Sequence, residues 1–187
     1  MTGWVRACAA FILCLAVSVA HALTVAQLQQ LLQGAPKSEA RYEESRESPW
    51  LSSPVMTRGT LRATPQVLEK RVESPREETW RLLEDRAEWI GPGGAGRKQI
   101  LFSQAPALQV LADVSRRATA GDLAALARDF DIVVRGDERV WSAHLQPRTP
   151  DVTRQLESIE LQGTGNRLQV LIVVERRGER TTTRLLP

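Results

Sequence analysis

In LTVAQLQQLLQG, residues 23–34, apolar and polar positions alternate with a helical period. Leu28, Leu31 and Leu32 fall on one face,. Thr24 can act as N-cap with Gln27 at N3, the two halves of a capping box, and Leu23 and Leu28 can form a hydrophobic staple around it,. Gly34 stops the helix and Pro36 prevents its continuation,. An apolar stripe of this kind needs cover, so the helix is expected to lie on a sheet.

From about residue 39 the period changes to two. EARYEESRES predicts a polar strand with Tyr42 on one face, and its many charges suggest a solvated or edge strand,. SPWLSSPVM is a loop carrying Pro49, Pro54 and the apolar Trp50, Leu51 and Val55. TRGTLRATPQVLEKRV predicts two strands joined at Thr64-Pro65,. Because proline cannot donate to a ladder, Pro65 belongs at an edge, bulge or strand junction. ETWRLLED and AEWIG continue the strand pattern, with a turn near Glu84 to Arg86. GPGGAG reads as a flexible hairpin loop and RKQILF as a further strand,.

Helical spacing returns at ALQVLADVSRR, with Leu108, Leu111 and Val114 or Ala112 on one side. Asp122 then offers an N-cap, and Leu123, Leu126, Ala127 and Phe130 follow at amphipathic spacing,. These two short helices have the character of a lid. The remainder predicts a hairpin turning near Gly136-Asp137 and a three-stranded meander turning at Gly163 to Asn166 and at Arg177-Gly178. No strand–helix alternation of the βαβ kind occurs, which argues against a parallel sheet. The expected fold is α+β: a strongly curved antiparallel sheet, an incomplete β barrel, with an N-terminal helix and two short lid-like helices.

The first segment changes the picture of compartment. Arg6 precedes an apolar run over residues 7–19, and Ala20-His21-Ala22 forms an A-x-A cleavage site. This is the pattern of a secretory signal, so residues 1–22 are expected to be removed and 23–187 to form one exported domain. The run is too short to span a bilayer comfortably, which disfavours an uncleaved anchor. Both cysteines, Cys8 and Cys14, lie inside it, so disulfides cannot hold the exported domain together,. A formal net charge of +3 is too small to imply a nucleic-acid partner,.

The exported chain lacks the usual catalytic sets. His144 is its one histidine, and its place on a strand favours an ordinary surface role. No G-x-S-x-G elbow, zinc-binding cluster or calcium loop is present. Glu43-Glu44 and Glu77-Glu78 are adjacent pairs that face opposite ways on a strand, and a solvated face explains them,. GPGGAG lacks the G-K-[ST] ending of a phosphate loop,. Gly-Asp at a hairpin turn explains Arg135-Gly136-Asp137. Core packing accounts for most of Trp80, Trp89, Trp141 and Phe102. An exported β domain without these constellations points to a binder or carrier, not an enzyme, and no cofactor is expected.

The order of these elements resembles the periplasmic outer-membrane lipoprotein carriers, the LolA-type family, and in particular its LolA-related branch. The resemblance rests on the signal, the first helix, the polar strand, and Gly59, Leu61, Pro65 and Leu68. EDRAEW at 84–89, the two mid-chain helices and the β-rich C-terminal half complete it. It implies a curved half-barrel whose concave apolar face is covered by helices and carries acyl chains. Candidate acyl-chain contacts are Leu61, Pro65, Leu68, Trp80, Trp89, Phe102 and Leu111. In that family a basic residue before the proline ties the rim to the lid, whereas Thr64 stands here. Thr64 and Arg62 are the candidate rim–lid contacts, with Arg71 as a substitute.

The implied partners are an acylated lipid or lipoprotein, an inner-membrane exporter and an outer-membrane acceptor, with only transient membrane contact by a monomer. A glycolipid or aryl-polyene-type lipid is a possible cargo beside a lipoprotein. A periplasmic sensor or regulator on the same scaffold is the alternative, and a hydrolase using carboxylates with His144 a third reading.

Overall fold

The computed structural model describes residues 23–34, 39–64 and 66–186. The expected signal segment, its cleavage site, Pro36 and Pro65 lie outside them.

Helix α1 (Val25–Gln33) begins as its sequence dictates. Thr24 Oγ1 accepts the Gln27 N–H at 3.2 Å, and Gln27 Oε1 accepts the Thr24 N–H at 2.9 Å. Leu28 and Leu32 are buried. The strands then run β1 (Ala40–Glu47), β2 (Val55–Ala63), β3 (Leu68–Ser74), β4 (Glu78–Leu82), β5 (Arg86–Ile90) and β6 (Arg97–Leu101). Helices α2 (Pro106–Thr119) and α3 (Leu123–Leu126) follow. Strands β7 (Phe130–Gly136) and β8 (Val140–Pro147) come next. Helix α4 (Pro150–Thr153) precedes β9 (Leu156–Thr164), β10 (Arg167–Glu175) and β11 (Arg180–Leu186).

The described strands form one antiparallel sheet in the order β6-β5-β4-β3-β2-β1-β11-β10-β9-β8-β7. It is not closed into a barrel: β6 and β7 stand at its two ends. Laid flat, eleven strands would span roughly 48 Å. Helix α2, about 21 Å long, packs on β3 and β4 along one flank and on β10 along the other. The sheet therefore bends around this helix. The α+β half-barrel expected from the pattern is present.

Three details differ from the sequence reading. β1 is not an edge strand. It lies between β2 and β11, in the middle of the sheet. Its charges are accommodated because alternate residues face opposite ways, so Arg41 and Glu43 point outward while Tyr42 and Glu44 point inward. Second, the helix after Gly121 is a single turn. Asp122 does cap it, accepting the Ala125 N–H at 3.1 Å, but Phe130 already belongs to β7 opposite Pro147. Third, α2 runs for 14 residues, a little beyond the 107–117 stretch that the spacing marks.

The main core lies between the helices and strands β7–β10. It joins Leu28 and Leu32 of α1, Val114 and Ala118 of α2, and Leu123 and Leu126 of α3 to inward residues such as Leu145, Ile159 and Leu161. Each fully buried leucine contributes about 2 kcal/mol. Two glycines permit close approach here. Gly121, at φ +72°, leaves room for Leu32, whose Cβ would stand 2.8 Å from an added Cβ. Gly163 faces the Trp141 ring, which an added Cβ would meet at 2.2 Å.

Candidate functional site

Cross-strand register shows which residues share the concave face. Ala63, Leu68, Leu82 and Ala87 are successive partners across β2–β5 and form one row. Leu61, Lys70, Trp80, Trp89 and Lys98 form the next, from β2 to β6. The N-terminal half of α2 covers the first row: Ala112 packs with Ala87 and Phe102, bordered by Leu82 and Leu108. A separate small cluster joins Leu61 and Leu68 to Tyr42, with Ala63, Leu82 and Leu185 around it. Leu82 touches both clusters.

Of the predicted acyl-chain contacts, Leu61 and Leu68 are thus brought together, and both are buried. Phe102 is buried beneath α2 and anchored by its N–H on the Asp85 carbonyl at 2.9 Å. Leu111 lies on α2 against the main core. Trp80 and Trp89 are half-buried neighbours on the same face. Pro65 lies outside the described residues.

The rim residues are placed differently. Thr64 closes the β2–β3 turn on itself: its hydroxyl accepts the Val67 N–H at 3.0 Å and its own N–H donates to the Val67 carbonyl at 2.8 Å. Arg62 is exposed and sits opposite Glu69. Being one residue out of phase with buried Leu61, it projects from the convex face, away from α2. Arg71, opposite Thr60, projects the same way.

Polar groups punctuate the concave face. Glu78, expected on a solvated face, instead accepts two indole N–H groups, from Trp80 at 2.9 Å and from Trp89 at 2.8 Å. The signal for this was its i, i+2 spacing from Trp80, which puts both on one side of β4. The Gly91–Gly96 loop curls over the Trp89 ring, and a Cβ on Gly91 would stand 2.9 Å from it. Lys98 lies 5.5 Å from that ring's centroid. Glu44 pairs with Lys70 and accepts the Thr183 hydroxyl at 2.8 Å, while the Lys70 ammonium stands 5.0 Å from the Tyr42 ring centre. Burial pushes the Tyr42 phenol well above its usual range, only partly offset by the Thr57 hydroxyl beside it, which lacks full hydrogen-bond geometry.

A cavity of about 510 Å³ lies between α2, the α3–β7 junction and α4. Val110, Val114, Phe130 and Val152 line its apolar part, and Asp113, Arg117, Asp129 and Arg154 its polar part. None of the residues predicted as a site contributes to it.

His144 is exposed on the convex face between Val133 and Glu160. Asp137 caps its hairpin turn, where the N–H groups of Val140 and Arg139 hold its carboxyl below the usual range. Among the described residues, no three His, Cys, Asp or Glu side chains are placed to hold a metal ion.

Comparison with known proteins adds the family. A model of outer membrane lipoprotein carrier protein LolA-like proteins matches residues 17–186. No curated protein matches the chain. Among solved structures, the chain is similar to the LolA superfamily protein NE2245 from Nitrosomonas europaea. That likeness is at 11% identity over 88% of this chain and 92% of that one, with a TM-score of 0.45. It is similar to MucB at 11% identity, over 86% of this chain and 56% of that one, with a TM-score of 0.46. A putative outer membrane lipoprotein-sorting protein domain from Vibrio parahaemolyticus matches at 9% identity over 89% and 90% of the two chains, with a TM-score of 0.41. With a match spanning nearly its whole length, the chain belongs to the LolA-like family of outer membrane lipoprotein carriers.

Proposed function

We propose that this protein is a periplasmic carrier that shields the acyl chains of a lipid or lipoprotein and takes them from the inner to the outer membrane within a lipid-export system. In this reading residues 1–22 are removed after Ala22 and residues 23–187 act as one carrier domain. An inner-membrane exporter loads it and an outer-membrane acceptor empties it.

The observation that carries the reading is α2, which lies across the concave face with a separate apolar cluster against each flank. In this reading the N-terminal half of the helix, which covers the β2–β5 floor, lifts to admit cargo while Val114 and Ala118 stay in the main core. Its departure would bare Leu82, Ala87 and Phe102, beside Leu61, Leu68 and the two half-buried indoles. An acyl chain of ~14 methylenes carries roughly 11 kcal/mol of desolvation free energy in water. An apolar trough under a movable helix can take up that surface without fixing one pose. Handover then needs only a better acceptor, tenfold for each ~1.4 kcal/mol.

Native mass spectrometry of the protein purified from periplasm tests this. Co-purifying lipid, displaced by a fluorescent fatty acid, is expected. A protein that neither carries lipid nor takes up the fatty acid would refute the carrier reading.

A further inference from the structure

The loop between β1 and β2 shows its apolar residues to solvent. Trp50 is 79% exposed and Leu51 43%, and at the start of β2 Val55 is 43% and Met56 57% exposed. Val55 and Met56, adjacent on β2, face opposite ways, so the loop pair Trp50 and Leu51 is what protrudes as a group,. Single exposed apolar side chains are ordinary, but neighbouring ones on a built loop mark an interaction surface. The loop is built and not slack. The Leu51 N–H donates to the Ser48 carbonyl at 3.0 Å and the Trp50 N–H to the Ser48 hydroxyl at 3.4 Å. Pro49 rests on the β10–β11 turn, its ring 3.1 Å from where a Cβ on Gly178 would stand. Ser48 and Arg46 both bond Glu179 of that turn, at 3.5 and 3.2 Å. Held from below in this way, the loop has its large side chains directed outward.

The same turn supplies exposed arginines. Arg176, Arg177 and Arg180 flank it, and no carboxylate among the described residues lies within ion-pair distance of them. The nearby acids are otherwise engaged or displaced. Glu179 is taken by Arg46, and Glu175 makes no ion pair with these arginines, its carboxyl raised by burial and Glu179 against the opposing pull of Arg46 and Arg177. Glu47 stands opposite Arg180 in the ladder without pairing with it.

We propose that this corner is a membrane-docking site for an anionic lipid surface. Trp50 and Leu51 enter the boundary between headgroups and acyl chains, and Arg177 and Arg180 meet lipid phosphates. Tryptophan favours that boundary because its ring is apolar and its N–H polar. The guanidinium fork matches phosphate. An acidic protein surface would satisfy the arginines but leave the protruding apolar group without a hollow to fill. The inference rests on the carrier reading, since acyl cargo has to be collected and delivered at membranes.

The test uses the signal-free protein from periplasm and vesicles of phosphatidylcholine, with or without phosphatidylglycerol. The expected result is co-sedimentation with a blue shift of tryptophan emission, stronger on the anionic vesicles. The double variant Trp50→Ser/Leu51→Ser should bind both vesicles at least tenfold more weakly with an unchanged melting temperature. Arg177→Gln/Arg180→Gln should lose only the preference for phosphatidylglycerol, as should high salt. Wild-type protein that ignores vesicles, or a serine variant that binds as well as wild type, overturns the proposal. So does capture of a membrane protein by the loop without any lipid binding. Native mass spectrometry separates the two readings. A serine variant that still carries lipid leaves the carrier reading intact, and a docking protein that never carries lipid removes only the carrier reading.

Discussion

Glu78 accepts the Trp89 indole N–H at 2.8 Å across the β4–β5 pair, and its second oxygen takes Trp80 at 2.9 Å. Each indole is taken by a different oxygen, and an amide at this position would turn its NH2 donor toward one of them,. Glu78→Gln should therefore keep one bond and lose the other, at a cost of about 2 kcal/mol in urea unfolding. Its tryptophan emission should shift, since one indole is released.

Lys70 and Glu44 form the ion pair of the concave floor, with side chains 22% and 16% exposed. Removing one partner leaves the other charge half-buried, while removing both leaves an apolar floor. Lys70→Met and Glu44→Leu should each destabilise, and the double variant should lie closer to wild type than the two losses added together. A coupling of about 1–3 kcal/mol in a double-mutant cycle is the expected reading.

Glu175 carries a pH signature. Burial, then the neighbouring Glu179, raises its carboxyl above the ordinary range. The folded state thus holds that proton more firmly than the unfolded chain. This contribution to stability is complete below the unfolded value and is lost as pH rises through the folded one. Glu175→Gln should melt above wild type at neutral pH, and the difference should vanish near pH 4. Melting curves across that range check it.

Leu82 and Leu108 pack in one cluster where α2 covers β4. No cysteine occurs in residues 23–187, so a disulfide between Leu82→Cys and Leu108→Cys would be the single covalent tie. If α2 must leave the sheet for loading, the oxidised protein should take up at least tenfold less fluorescent fatty acid, and reductant should restore uptake. Equal uptake in both states would mean that α2 stays in place.

What could be read from the sequence was local. Thr24 and Gln27 lie three residues apart, and their reciprocal bonds need nothing beyond the first turn. The alternation around Leu61 was equally legible, but which face looks inward was not, and so Arg62 is expected as a rim contact although it projects from the convex face. The position of β1 was not legible, because its neighbour β11 is the last strand of the described chain and nothing within EARYEESRES records that pairing. Phe130 misled for a physical reason. It follows Leu123 at helical spacing, yet the chain turns at Ala127 without a glycine or proline to announce it. α4 was missed because four residues after Thr149 are too few to show a period. Glu78 was misread because its two partners lie on adjacent strands, and only their register brings both indoles to one carboxylate.

The stretch containing α2 and α3 leaves the sheet at β6, one free edge, and re-enters it at β7, the other. It acts on the half-barrel as a string acts on a bow. The separation of the two edges and the height of the helix above the floor are then one mechanical variable and not two. Residues inserted between Thr119 and Leu123 slacken the string and let the arc open, and residues removed there draw it tight. In the carrier reading, the volume available to a guest then follows from the length of a connector that need not touch it.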